Sequence, residues 1–128
     1  MAEPIPVILN PAARSSKAAG RHAVIEALRP APRLHLTRRA GEAEKLAETL
    51  VREGHRLIVA AGGDGTVNEV LQGLCRANAS LPLHDHAALS VLPVGTMNVF
   101  ALERGLPASE LAACWERIAG GARREIDL

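Results

Sequence analysis

The residues most able to do chemistry here are Gly62-Gly63-Asp64-Gly65-Thr66. They follow a short apolar run, Leu57-Ile58-Val59-Ala60-Ala61, and precede a stretch with helical spacing. Glycines let a phosphate approach the backbone with no Cβ in the way. The free amides of the helix that follows, together with its dipole, attract anionic oxygens. Thr66 can cap that helix or bind a phosphate through its hydroxyl. Asp64 narrows the chemistry further. A carboxylate beside phosphates is repulsive unless a cation or a donor network intervenes. It therefore points to Mg²⁺ handling, direct or through water, or to a fixed hydrogen bond that shapes the loop. The chain has neither a Gly-Lys-Ser/Thr phosphate loop nor a Gly-x-Gly-x-x-Gly fingerprint.

A second loop, Pro93-Val94-Gly95-Thr96-Met97-Asn98, repeats this logic. Gly95 permits a turn, Thr96 offers a hydroxyl, and Asn98 stands at a helix start. Asn10-Pro11 ends an earlier apolar run as a turn. Thr37, with Gly41 and Glu42 after it, marks a helix entry. His84-Asp85-His86 has poor spacing for metal ligands and reads as a solvated loop. His22, His35 and His55 have no partner pattern.

Alternating strands and helices would position these residues. Residues 5–9, 33–37, 57–61 and 87–92 read as strands. Residues 16–28, 42–53, 66–77 and 109–118 read as helices. The second of these carries Ala43, Leu46, Ala47, Leu50 and Val51 on one face, and Gly54 stops it. A further short helix ends near Gly105, and residues 123–128 read as a last strand. The expected fold is α/β: a three-layer α/β/α, open, mostly parallel and Rossmann-like sheet. In such sheets ligands bind at the carboxyl ends of the strands. Asn10-Pro11, Thr37, the glycine loop and Gly95-Thr96 each follow one of those ends, so four loops converge on one rim.

Composition limits the alternatives. The chain has 128 residues, 48% of them apolar, and its formal net charge is +1. Such a chain builds one globular domain. Its only aromatics are Phe100 and Trp115, so it lacks the stacking platforms of a single-strand nucleic-acid binder. The charge offers no electrostatic case for nucleic acid or for a membrane anchor. Basic residues gather toward the first half, as a solvated surface or as a basic rim beside a phosphate site. Cys75 and Cys114 are unpaired in motif and read as buried or half-buried thiols of a reducing compartment. No apolar run reaches transmembrane length, and Glu3, Pro4 and Pro6 interrupt any signal-like start. A soluble cytoplasmic protein is expected, meeting any lipid at a membrane surface.

Taken together, several segments resemble the diacylglycerol kinase catalytic family, which includes sphingosine kinases and bacterial lipid kinases. They are Asn10-Pro11; Thr37 with Gly41-Glu42-Ala43; Gly62-Gly63-Asp64-Gly65-Thr66-Val67-Asn68-Glu69-Val70; Gly95-Thr96-Met97-Asn98-Val99-Phe100-Ala101; and Leu106-Pro107. Order and spacing agree over essentially the whole chain. The resemblance implies transfer of the γ-phosphate of ATP, with Mg²⁺, to a lipid hydroxyl, leaving ADP. It implies a nucleotide site lined by Asn10, Pro11, Thr37, Gly62, Gly63, Asp64, Gly65, Thr66, Val67, Asn68, Glu69, Gly95, Thr96 and Asn98. Asp64 would organise the metal.

The resemblance also implies that residues 1–128 are the N-terminal nucleotide-binding domain of a two-domain enzyme. The general base and a further carboxylate metal site would lie in a β-rich C-terminal domain, so the 128 residues alone are expected to be inactive. The last residues, Arg124 to Leu128, read as a chain cut in mid-strand. Two residues depart from the family pattern: Arg14 where glycine is usual, and Val99 where aspartate is frequent. Two other readings stay open at this point, a non-catalytic nucleotide-binding module and a kinase of the NAD kinase or phosphofructokinase type. The lipid acceptor and a possible homodimer are also left open.

Overall fold

The computed structural model describes residues 4–10, 25–62, 64–92 and 108–120. Four strands form one sheet: β1 (Pro6–Leu9), β2 (Arg33–Leu36), β3 (Leu57–Ala61) and β4 (Ala88–Leu92). Their spatial order is β2-β1-β3-β4 and every pairing is parallel. Three helices accompany them: α1 (Glu42–Arg52), α2 (Asp64–Asn78) and α3 (Ala108–Ala119). Ile25 and Glu26 are also helical. Ala27 is a turn and Leu28 has left the helix, so the expected first helix ends two residues early; its residues 16–24, the second loop, the short helix after it and the last strand lie outside the described residues.

Burial follows from position in the sheet. The central strands β1 and β3 are covered on both faces, so their apolar residues run without alternation. On one face, Ile8, Ile58 and Ala60 pack against Ala43, Ala47, Leu50 and Val51 of α1 and Val70, Leu74 and Ala77 of α2. On the other, Val7, Leu9, Val59, Ala61 and Leu92 pack with Ile25, Leu28 and Trp115. Helical residues thus cover both faces, which gives the three layers. Trp115 is fully buried, and its indole N–H donates to the Pro30 carbonyl at 2.8 Å.

Local signals explain the element ends. Gly41 precedes α1 with φ 88°, a left-handed conformation that glycine adopts without penalty. Glu42 and Glu44 lie in the first turn of α1 and Arg52 in the last, which complements the helix dipole. Gly54 ends the segment with φ 106°. The loop after α2 is closed by Asn78, whose amide accepts from the Ala87 N–H at 2.9 Å and donates to the Ala87 carbonyl at 3.1 Å.

Two further details differ from the sequence expectation. Helix α2 begins at Asp64 rather than Thr66. A carboxylate is favoured in a first turn, so Asp64 joins the helix instead of the loop. Cys75 is exposed rather than buried, because the buried positions around it on α2 are Gly73, Leu74 and Ala77.

Candidate nucleotide site at the carboxyl ends of the strands

The strand ends form one straight rim. Leu36 pairs with Leu9, Leu9 with Ala61, and Ala61 with Leu92. Each is the last residue of its strand, so Thr37, Asn10 and Gly62 leave the sheet from a single row. Adjacent strands lie about 4.8 Å apart, so these three backbones span roughly 10 Å. The chain runs outward from β1 to β2 on one side, and β3 adjoins β1 on the other. The crevice between β1 and β3 is therefore the topological switch point, where open α/β sheets bind ligands. Asn10 and Gly62 flank it.

The glycine loop is built for close approach. A Cβ on Gly62 would stand 2.9 Å from the Thr66 hydroxyl oxygen and 3.0 Å from its Cβ. Only glycine lets the loop fold back onto the first turn of α2. Thr66 is 8% exposed, and its side chain lies against Gly62 at the loop's base. Asp64, Gly65 and Asn68 are exposed. Val67 packs its side chain against the core. Glu69 is half-buried, and its carboxylate accepts the Gly41 N–H at 2.8 Å.

The turn after β2 forms the neighbouring wall. Thr37 is 2% exposed, and its amide extends the sheet ladder to the Leu9 carbonyl at 2.9 Å. The Arg38 amide donates to the Glu42 carboxylate at 3.1 Å. Arg39, Ala40, Gly41, Glu42 and Lys45 line an open cavity of about 440 Å³. Among the described residues, none of the glycine loop lines it. Arg39 and Lys45 place two basic side chains around this cavity, beside the Glu42 carboxylate.

The described structure brings Asn10, Thr37, Gly62, Asp64, Gly65, Thr66, Val67, Asn68 and Glu69 to the strand ends or the first turns beyond them. Pro11, Gly63, Gly95, Thr96 and Asn98 lie outside the described residues, as do Arg14 and Val99. What the sequence did not reveal is that two site segments touch each other, through Glu69 and Gly41. The signal was present, since Gly41-Glu42 and Glu69 each recur at a strand-to-helix entry, but nothing local joins residues 28 apart.

The histidine-rich loop does other work. Asp85 accepts a bond from Arg56 at 3.0 Å, and His86 Nε2 lies 3.0 Å from the Leu81 carbonyl oxygen. Among the described residues, no three His, Cys, Asp or Glu side chains gather to hold a metal. Nor is any described helix long and apolar enough to cross a membrane.

Comparison with known proteins converges on one group. The family model for the diacylglycerol kinase catalytic domain matches residues 4–128. A diacylglycerol kinase of Bacillus subtilis (strain 168) is 39% identical over 94 residues, covering 73% of this chain and 29% of that protein. A "probable lipid kinase YegS-like" protein of Pseudomonas syringae pv. syringae (strain B728a) is 38% identical over 95 residues, covering 74% and 28%. Among solved structures, a "putative diacylglycerol kinase" of Bacillus anthracis str. Sterne superposes with a TM-score of 0.62 at 27% identity, covering 93% of this chain and 40% of that one. The chain thus spans less than a third of the length of these curated relatives.

Proposed function

Because the chain belongs to the diacylglycerol kinase catalytic domain family, we propose that its strand-end rim binds Mg·ATP. The protein, in this reading, passes the γ-phosphate to a lipid hydroxyl, that of diacylglycerol or a related lipid. The observation that carries the reading is the rim itself. Three described strand-end loops leave one register row at the switch point, and α2 starts there behind a glycine loop packed on Thr66.

Phosphoryl transfer depends on positioning and charge neutralisation more than on covalent chemistry. The amides of residues 62–66 would take phosphate oxygens at the N-terminus of α2. The Thr66 hydroxyl would donate to the same group. Thr37 and Asn10 would bound the nucleotide on the β1–β2 side, and Gly63, Gly95, Thr96 and Asn98 would complete the wall on the β3–β4 side. The residues fit Mg²⁺: one exposed carboxylate, Asp64, stands in the first turn beside the phosphate amides. Mg²⁺ is ordinarily held by one or two carboxylates plus substrate phosphates and water. When bound, it would neutralise the charge that develops on the transferring group. Asp64 would orient it, and its own charge would be offset there.

Residues 1–128 would supply nucleotide binding and positioning. The lipid site and the base that takes the acceptor proton belong, in this reading, to the remainder of a two-domain enzyme that works at the cytoplasmic membrane surface. Calorimetric titration of the 128-residue chain with Mg·ATP and Mg·ADP tests the nucleotide part. Binding that weakens in Thr66→Val supports it, and no binding by the wild-type chain overturns it. Lipid phosphorylation by the isolated chain would overturn the division of labour.

A further inference from the structure

We propose that Glu69 is a positioning residue for the nucleotide site. Its carboxylate holds the backbone amide of Gly41, and through it the turn over residues 37–41, in register with the glycine loop. This rests on the nucleotide reading above and assigns Glu69 a part in it that is not contact with the nucleotide.

The docking of α1 on α2 supports this assignment. Gly73 of α2 lies directly against α1, where a Cβ would overlap the Glu44 carbonyl oxygen. Glu69 is one turn before Gly73 on the same face. Gly41 is three residues before Glu44, at the entry to α1. The Gly73 contact sets how closely the helices approach, and the Glu69–Gly41 bond of 2.8 Å ties them at the rim end. Just past Gly73, Arg76 reaches Glu44 at 3.1 Å and Glu48 at 3.4 Å. That pairing is exposed, so it contributes little. The partly buried, charge-assisted bond at the rim is the stronger restraint.

Its target is a turn otherwise held only from its own sheet and from α1, the Glu42 and Lys45 amides donating to the Arg39 and Gly41 carbonyls. Gly41 has a left-handed backbone and no side-chain cap. The amides of Thr37, Arg38 and Gly41 find acceptors in Leu9, Glu42 and Glu69 respectively. Only the last of these comes from the helix that carries the glycine loop. Glu69 follows Thr66 by three residues, so one turn of α2 carries both a hydroxyl for the phosphate site and the clasp on the opposite wall. A carboxylate committed to an amide also adds less repulsion toward nucleotide phosphates than an unpaired one.

The test compares Glu69→Gln, Glu69→Ala and Arg76→Ala in the 128-residue chain. Mg·ADP affinity is read by calorimetry, the Gly41 amide by two-dimensional NMR, and stability by thermal melting. Glutamine retains an acceptor oxygen at the same reach, so Glu69→Gln should bind within about threefold of wild type, whereas Glu69→Ala should lose about tenfold or more. The Gly41 amide resonance should move further in Glu69→Ala, which removes the acceptor, than in Glu69→Gln, which only neutralises it. Arg76→Ala, which removes the exposed ion pairs between the same helices without touching the Gly41 amide, should leave affinity within about threefold even if the melting temperature falls. If Glu69→Ala fails to fold, Glu69→Asp, with a carboxylate one methylene shorter, carries the comparison. Unchanged affinity in Glu69→Ala would overturn the positioning role alone. Equal loss in Gln and Ala variants with an unmoved Gly41 amide would also overturn it, by making Glu69 a direct ligand contact. A wild-type chain that binds no Mg·ADP would refute the nucleotide reading itself, and this role with it.

Discussion

Replacing Gly73 by alanine sets two opposed effects against each other. Helix propensity alone favours the change by about 1 kcal/mol, because glycine is a poor residue in a helix interior. Packing opposes it. The new Cβ would overlap the Glu44 carbonyl oxygen, and would lie 3.0 Å from the Glu44 carbonyl carbon and 3.1 Å from the Ala47 Cβ. Overpacking typically costs about 1–3 kcal/mol. The obstruction here is backbone, which no rotamer change can clear, so the cost belongs near about 3 kcal/mol. Subtracting the propensity gain leaves a net loss of about 2 kcal/mol. With a urea dependence of about 2 kcal/mol per molar, the unfolding midpoint should fall by about 1 M. Far-UV circular dichroism and Trp115 fluorescence should report the same transition. A midpoint equal to or above wild type would refute the reasoning, since it would mean that α1 and α2 do not meet at Gly73.

Three further outcomes follow from particular side chains. Trp115 is the one tryptophan and is fully buried, so emission should be blue-shifted and shielded from quenchers. Trp115→Phe, which removes the indole bond to Pro30, should cost about 1–2 kcal/mol in a denaturant titration. Burial first, then the charges of Arg33 and His55, hold the His35 imidazole below its ordinary value of 6.5. Its buried Nε2 also has no hydrogen-bond partner. The folded state therefore binds fewer protons than the unfolded one as pH falls below about 6.5, so stability is full above that value and declines beneath it. Urea midpoints taken between about pH 7.5 and 5.5 should show this slope, and His35→Leu should flatten it. Asp64→Asn should lower stability by no more than about 1 kcal/mol, the worth of an exposed carboxylate at a helix start. It should nonetheless remove the Mg²⁺ dependence of nucleotide binding in calorimetry, and a retained dependence would dismiss Asp64 as the metal organiser.

Much of the fold and the candidate site can be read locally. Unbroken apolar runs at β1 and β3 mark strands covered on both faces, because no alternation is needed where both sides are buried. The spacing of Ala43, Ala47, Leu50 and Val51 sets the inward face of α1. The glycine loop and the turns after β1 and β2 identify strand ends, since glycine, asparagine and threonine there have backbone or capping reasons to be present. Parallel pairing then sends those loops to one edge. Tertiary structure decided the rest. Strand order placed β1 between β2 and β3, which sets the switch point at Asn10 and Gly62, and no local preference encodes order. The dipole drew Asp64 into the first turn of α2. Glu69 looked like one more residue of the phosphate segment, yet the approach of two helices at Gly73 brings its carboxylate to the Gly41 amide. That contact depends on how whole helices dock, a property of packed surfaces that neither segment carries alone.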